Sequence, residues 1–392
     1  MLDIQLYHYM EEMLKGIRSS FVRYLYHEIN WDARMIGITG PRGVGKSTMV
    51  LQHIQRTRAD GHALYVMADN LYFSQHTLVS LADEFVKEGG THLYIDEIHK
   101  YTSWSRELKQ IYDVHPKLHI VFTGSSVLDI LHGTADLSRR ALMYSMQGLS
   151  FREYLQLFHH IILPAYSLQE ILGHQVTLPE QMPHPLPLFR TYLQEGYYPF
   201  ALEGDLMPRL LQVVALSVEV DIPQYADMKA ATTRKLRQML TVIATLAPFK
   251  PNADSLASEI GVSKNNIPDY LVYLERAGLI GLLRDDTQGL RGLGKVEKAY
   301  LDNPTLMTIL GNGQTDTGNM RETFFYNQMR VRHAVTASRQ SDFVVDGITF
   351  EVGGRKKGKK QIEGLPDAFI VRDDIETGHG IYVPLWQFGL NY

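Results

Sequence analysis

The segment GPRGVGKS, Gly40–Ser47, limits what this chain can fold into more than any other stretch. It fits the G-x-x-x-x-G-K-[ST] spacing of a phosphate-cradling P-loop. Ahead of it, ARMIGITG is a short apolar run of strand character. Behind it, KSTMVLQHIQRTRA has helical spacing, with Met49, Val50 and Ile54 on one side. Glycines let the backbone close round phosphate oxygens with N–H groups turned inward, and a helix opening near Lys46 adds its positive dipole end. Gly40, Pro41, Arg42, Gly43, Val44, Gly45, Lys46, Ser47 and Thr48 are the expected nucleotide-binding residues. Among them, Lys46 suits the β- and γ-phosphates of ATP and the Ser47 hydroxyl suits Mg2+.

A P-loop needs a carboxylate strand, and THLYIDEIHK supplies one: Leu93, Tyr94 and Ile95 read as buried strand ending at Asp96-Glu97. Asp96 is the expected second metal ligand, acting through water, and Glu97 the expected base for the attacking water. A third strand, KLHIVFTGSS, ends in Thr123, Gly124, Ser125 and Ser126. A hydroxyl there, with Ser125 as the catalytic candidate, either senses the γ-phosphate or is an ordinary polar strand end. In DLSRRALMYSMQGLSFREYL, Arg139 and Arg140 either supply charge to a neighbouring subunit's phosphate or are a surface pair.

Together GPRGVGKS, LYIDEIHK, VFTGSS and LSRRALMYSMQGLSFREYL resemble the prokaryotic AAA-type ATPases that carry an uncharacterised C-terminal region. That group is close to the archaeal-type and signalling ATPases. The phrase EGYYPFAL, Glu195–Leu202, resembles the group's glycine-aromatic-proline signature, and the resemblance covers nearly the whole chain. It implies a homo-oligomer, such as a hexamer, in which the arginine ahead of LSF acts in trans; this maps to Arg140. The family's usual glycine before that arginine is here Arg139, so the choice between the two stays open.

The remainder divides by pattern. Residues 1–33 read as N-terminal helices, 34–164 as the ATPase core, and 165–229 as a helical lid and linker broken by PEQMPHPLPLF. Over 230–300, SLASEIGVSKNNIPDYLVYLERAGLI reads as helix, turn at Gly261 and second helix, closing on the LIGLL strand. That order is expected of a winged-helix module. Lys264, Asn265 and Asn266 would meet DNA if the second helix entered a groove. Alternatively the module only packs on its neighbours, as an exposed face bearing Asp269 and Glu275 would suit.

Over 301–392, ETFFYNQMR reads as an amphipathic helix opening at Glu322, and SDFVVDGITFEVGG as a hairpin turning at Asp346-Gly347. Glu322, Asp342 and Glu351 resemble the acidic set of the restriction-endonuclease-like PD-(D/E)XK fold. That fold's lysine position is Gly353 here, which points to a scaffold that has lost cleavage unless Lys356 or Lys357 folds back. The basic residues from Arg355 to Lys360 either clamp a phosphate backbone or form a solvated loop.

A chain of 392 residues with 45% apolar and 21% charged residues suits two to four soluble domains. A formal charge of −4 excludes a wholesale nucleic-acid coat, and the absence of cysteine excludes disulfides and thiolate metal sites. No leader or membrane span is legible, so a cytoplasmic setting is expected. The expected fold is α/β: a P-loop domain on a parallel sheet, helical lid, winged helix and C-terminal nuclease-like α/β domain. The expected function is Mg2+-dependent ATP hydrolysis coupled to partner recognition, plausibly of DNA. The alternatives are a slow nucleotide switch and an ATP-gated nuclease.

Overall fold

Short β-branched runs alternating with amphipathic helices in the first third of the chain leave a parallel sheet as the economical way to bury both faces. A computed structural model of the protein describes residues 2–57, 62–124, 137, 139–223, 228–286, 295–311 and 316–392. Its contacts divide the chain into two compact units, Met1–Gln147 and Gly148–Tyr392. The division lies inside the segment 34–164 expected as the ATPase core.

The first unit runs α1 (Ile4–Lys15), β1 (Met35–Thr39), α2 (Lys46–Thr57), β2 (Ala63–Met67), α3 (Leu78–Lys87), β3 (His92–Asp96), α4 (Trp104–Val114), β4 (His119–Thr123) and β5 (Leu142–Ser145). The strands form one sheet in the order β2-β3-β4-β1-β5, and every pairing in it is parallel. All five residues of β1 are buried, as a central strand covered on both faces requires. Strands β2 and β5 were not legible as strands. In β5 both Leu142 and Met143 are exposed, so it lacks the continuous burial that marks β1 and β3. Leu64, Phe85, Ile95, Leu108, Ile120 and Phe122 share one core with Leu2 and Leu6 of the N-terminal segment.

The second unit begins with α5 (Phe151–His159), whose start is set by a capping box in which Ser150 and Glu153 bond each other's backbone N–H. Then follow α6 (Leu168–Leu172), α7 (Leu186–Glu195), α8 (Leu206–Leu216), α9 (Ala230–Leu246), α10 (Ala253–Ile260), α11 (Ile267–Arg276), β6 (Ile280–Arg284), β7 (Val296–Leu301), α12 (Pro304–Leu310) and α13 (Thr317–Met329). A second sheet closes the unit: β8 (Val335–Ala337), β9 (Phe343–Val345), β10 (Ile348–Gly353), β11 (Ala368–Arg372) and β12 (Tyr382–Pro384), ordered β12-β11-β10-β9-β8. The β9–β10 hairpin is antiparallel and turns at Asp346-Gly347, both at positive φ, while β10–β11 and β11–β12 are parallel.

The segment expected as lid and linker is built into this unit. Phe189, Tyr192 and Leu193 of α7 share a core with Phe324, Phe325, Phe343 and Trp386. In the EGYYPFAL phrase, a Cβ on Gly196 would fall 2.8 Å from the Tyr192 Cα, and Tyr197 and Tyr198 are buried.

The element order α9, α10, α11, β6, β7 is present, with Gly261 ending α10 at φ 66° and β6 pairing antiparallel with β7. Lys264, Asn265 and Asn266 form a 3-10 turn ahead of α11 and are exposed. Glu275 departs from the exposed position expected of it. It accepts from Arg284 Nη1 and Nη2 (2.8 and 2.6 Å) and from Leu282 N, tying α11 to β6. Helix α13 opens at Thr317 under an Asp316 cap, so Glu322 sits mid-helix. Thr323 to Met329 are all buried, so its C-terminal half lacks a solvent face. The apolar end of the chain is one short strand followed by a buried 3-10 turn, Leu385–Leu390.

Candidate functional site

The P-loop links β1 to α2, with Gly40, Gly43 and Gly45 at φ 148°, 79° and 97°. Gly40 is obligatory for a second reason: a Cβ there would lie 2.1 Å from the Met146 carbonyl oxygen. The buried Lys46 ammonium donates to the carbonyls of Gly40 and Pro41 at 2.8 and 2.7 Å, which closes the loop on itself. Arg23, also buried, donates to the Val44 carbonyl and, at 2.7 Å, to that of Gln147. It braces the loop from outside. Nothing in the spacing of the motif pointed to Arg23, which lies well upstream.

Asp96 ends β3 and is oriented from both flanking strands. Tyr65 of β2 donates to Oδ2 at 2.6 Å, Thr123 of β4 donates to Oδ1, and the Glu97 N–H reaches Oδ1 at 3.2 Å. The Thr123 hydroxyl, one of the polar groups expected to sense phosphate, is thus engaged with Asp96 and also accepts from Glu97 N at 3.3 Å. Burial beside the Asp96 charge pushes the Tyr65 phenol well above its usual range, so it remains a donor.

Glu97 occupies the left-handed region at φ 52°, rare for a residue with a Cβ. Two cationic side chains, Arg42 at 3.6 Å and Lys100 at 3.8 Å, and the buried imidazole of His99 at 3.7 Å ring its carboxylate. Lys100 holds Asp69 much more closely, at 2.5 Å. Burial nonetheless raises the Glu97 pKa above the ordinary carboxyl value, with Arg42 and Lys46 pulling it back down. A carboxylate tuned in this direction suits a general base.

Ser47 is half-buried and Thr48 exposed at the start of α2. Ser47 and Asp96 offer hard oxygen donors of the type Mg2+ takes alongside substrate phosphates, so these residues fit that ion. Arg140 is held by Asp113 through two hydrogen bonds of 3.0 Å from Nε and Nη2, whereas Arg139 is exposed. Ser125 lies outside the described residues.

The acids of the second unit are placed differently. Glu322 of α13 accepts from Lys298 of β7 at 2.9 Å and from Tyr300 at 3.1 Å, and the same ammonium lies 3.4 Å from Asp342. Asp342 also accepts from the Val352 N–H at 2.9 Å. Glu351, fully buried on β10, accepts from Ser341 at 2.7 Å and pairs with Lys357. Burial and then the Asp342 charge raise the Glu322 pKa, opposed by Lys298. Two built-in ammonium groups therefore share three acids, and among the described residues no three acids converge as a metal-holding group. Gly353, at the missing lysine position, has a reason: a Cβ there would fall 2.7–2.8 Å from Cβ, Cγ and Cδ of Lys357. Lys298 and Tyr300 had no motif to flag them; only the pairing of β7 with β6 and the placement of α13 reveal them.

Two family models match the chain: an AAA domain over residues 32–155 and a domain of unknown function over residues 186–316. An uncharacterized protein of Methanocaldococcus jannaschii is 26% identical over 272 residues, which is 63% of this chain and 56% of that one. The chain thus spans little more than half the length of this relative. Among solved structures, the chain is similar to a Walker-type ATPase of Pyrococcus abyssi (TM-score 0.43, 14% identity, 74% of this chain and 95% of that one). It is similar also to AMPPCP-bound DnaA from Aquifex aeolicus (TM-score 0.25, 11% identity, 69% of this chain and 88% of that one). No helix among the described residues is long and apolar enough to cross a membrane. Residues 32–155 thus match an AAA domain model, and the parallel sheet with its P-loop in the first unit is a P-loop NTPase α/β fold.

Proposed function

We propose that this protein hydrolyses ATP to ADP and phosphate in an Mg2+-dependent reaction, as an oligomer whose second unit recognises a partner. The observation that carries this reading is Glu97: a shielded carboxylate with a raised pKa, directly after an Asp96 held in one orientation by Tyr65 and Thr123. P-loop switches need only the aspartate; the adjacent glutamate supplies a base.

In this reading the backbone N–H groups of the P-loop hold the phosphates, and Lys46 exchanges its contacts with Gly40 and Pro41 for the β- and γ-phosphates. Ser47 and Asp96 would hold Mg2+, which would supply charge neutralisation at the phosphate oxygens. Glu97 orients a water and takes its proton as the water oxygen attacks the γ-phosphorus. The bond to the β–γ bridging oxygen breaks, and ADP leaves with that electron pair. Arg140, or Arg139, serves a neighbouring protomer's phosphate, for which Arg140 must leave Asp113.

The test is turnover by wild type and Lys46→Ala. Loss of about 100-fold or more is expected for removal of a phosphate-stabilising donor, and equal rates would end the proposal. Mixing Lys46→Ala with Arg140→Ala tests the arrangement in trans. Restored turnover in the mixture supports it, and two additive losses refute it.

A second reading, the slow switch, is favoured by the cations around Glu97. Arg42 and Lys100 compete with a water for its carboxylate. Nucleotide that stays bound through many minutes with single-turnover decay supports this version. Lys357 does fold back to Glu351 across Gly353, the position of the missing lysine, yet the nuclease reading has least support, since Lys298 takes Glu322 and Asp342 and no three acids among the described residues form a metal-holding group. Plasmid that stays intact with Mg2+ or Mn2+, with and without ATP, rules it out.

A further inference from the structure

Residues 354–362, the first part of the loop that joins β10 to β11 over 354–367, carry Arg355, Lys356, Lys357, Lys359 and Lys360 in a chain whose overall charge is −4. A run of this kind is ordinarily a solvated, mobile face. Here it is tied down. The Lys357 carbonyl accepts two hydrogen bonds from Arg372, from Nε at 2.9 Å and Nη2 at 2.6 Å, and its N–H bonds the Gly354 carbonyl at 2.9 Å. Its side chain crosses the bare face of Gly353 to pair with the buried Glu351. At the far end Ile362 is only 4% exposed, packed with Ala368 and Ile370 of β11, and its N–H bonds the Lys359 carbonyl at 3.0 Å.

Between and beside these anchors, Arg355, Lys356, Lys359 and Lys360 stand exposed. Among the described residues, Arg355, Lys356 and Lys360 make no ion pair. Lys359 has a 3.7 Å contact with Glu363, and both of those side chains are more than 60% exposed. Such a contact adds little and yields readily to a stronger anion. Four cations are thus presented on a fixed turn, three of them without an ion pair among the described residues and the fourth in a weak, exposed one, and the ordering cost of the loop has already been met within the fold.

We infer that loop 354–362 is a docking element for the phosphate backbone of a nucleic acid, and that the acid Glu351 serves to hold it rather than to hold a metal. The inference rests on the reading of the second unit as the partner-recognising part, and it is independent of ATP turnover. Two features select a nucleic acid over other polyanions. The stretch GGRKKGKKQ has no apolar side chain, and the neighbouring Ile362 is buried, so the loop offers a bilayer none of the apolar anchoring that interfacial binders use. Closely spaced cations without acids among them match a continuous line of phosphates, and backbone contacts of this kind position a strand without reading its sequence. The expected binding is therefore sequence-tolerant and strongly salt-dependent.

The experiment is fluorescence anisotropy of labelled duplex DNA titrated with full-length protein over a range of salt concentrations, without nucleotide. A variant carrying R355Q, K356Q, K359Q and K360Q together is compared with wild type. Every substituted side chain is exposed, so the fold is retained and is checked by circular dichroism. Each phosphate neutralised contributes about 0.9 to the salt slope, so the variant is expected to lose about 3–4 units of slope and to bind at least ~10-fold more weakly at low salt. An unchanged slope would overturn the inference, as would wild type that leaves the duplex free at low salt. Equal capture of phosphatidylserine vesicles, or equal competition by polyglutamate, would also overturn it, by reducing the loop to a general cation patch. The Lys46→Ala protein is expected to bind as wild type does. This separates failure of the loop from failure of the ATPase.

Discussion

Both units gather acids beside a sheet, and they treat them in opposite ways. In the first unit, Asp96 is oriented by two neutral hydroxyls and a backbone N–H, and Glu97 keeps its cations at 3.6–3.8 Å. In the second, Lys298 contacts Glu322 at 2.9 Å and Lys357 pairs with Glu351. Neutral donors orient a carboxylate while leaving its charge for an incoming cation. A lysine at hydrogen-bond distance consumes that charge. The same residue types thus keep their charge in one place and form a neutralised internal network in the other.

The comparison breaks most readily at Glu97. Glu97→Gln is expected to lower the turnover number by about 10²–10⁴-fold, the range for removal of a positioned base, with MgATP affinity by calorimetry retained. Parallel loss of affinity and turnover would show Glu97 to be part of the binding site and not the base.

Lys298→Met probes the other unit. It leaves Glu322 and Asp342 facing each other, and is expected to cost about 2–3 kcal/mol at neutral pH. That is below the ~3–5 kcal/mol of a fully enclosed broken pair, because the Lys298 side chain keeps 34% exposure. The pH dependence has a definite sign. Glu322 has a folded pKa raised above 4.5, so the folded state holds the proton more tightly. The deficit is absent below that value and grows as pH rises through the folded pKa. Thermal melts of the variant and wild type across that range should converge in acid and separate towards neutrality. A constant gap would show that the acids are not coupled through Lys298.

Tyr65→Phe sharpens the contrast from the first unit. It removes one of the three donors to Asp96, which is expected to weaken MgATP binding about tenfold, or about 1.5 kcal/mol. Binding of metal-free ATP should be unchanged, and an equal loss for both would place Tyr65 in packing alone. Thr123→Ser keeps the hydroxyl and is expected to have the smallest effect, within about threefold of wild type by the same titration, since the donor to Asp96 survives.

Much of the first site was legible because its chemistry is local. Gly40 to Ser47 form a contiguous motif whose glycines take the positive φ values the loop needs. Asp96-Glu97 follow a run apolar enough to be read as a strand. What pins these groups comes from elsewhere: Arg23 from before β1, Tyr65 from β2 and Thr123 from β4. In the second unit, the hairpin turning at Asp346-Gly347 was legible from alternation and turn residues, and the helix–turn–helix from Gly261. The share of α7 in the C-terminal core was not, because a helix's apolar stripe does not say which partner covers it.

Sequence therefore settled what depends on neighbours along the chain: a phosphate loop between strand and helix, a double acid at a strand end, and the positions of the sharp turns. Tertiary structure alone decided which charges are spent. Whether Glu351 would face a metal or Lys357, and whether Glu322 would be free or held by Lys298, depended on strand register and helix placement. Coulomb energies change steeply over a few ångströms in a buried setting, and no spacing in a sequence encodes a distance across a sheet.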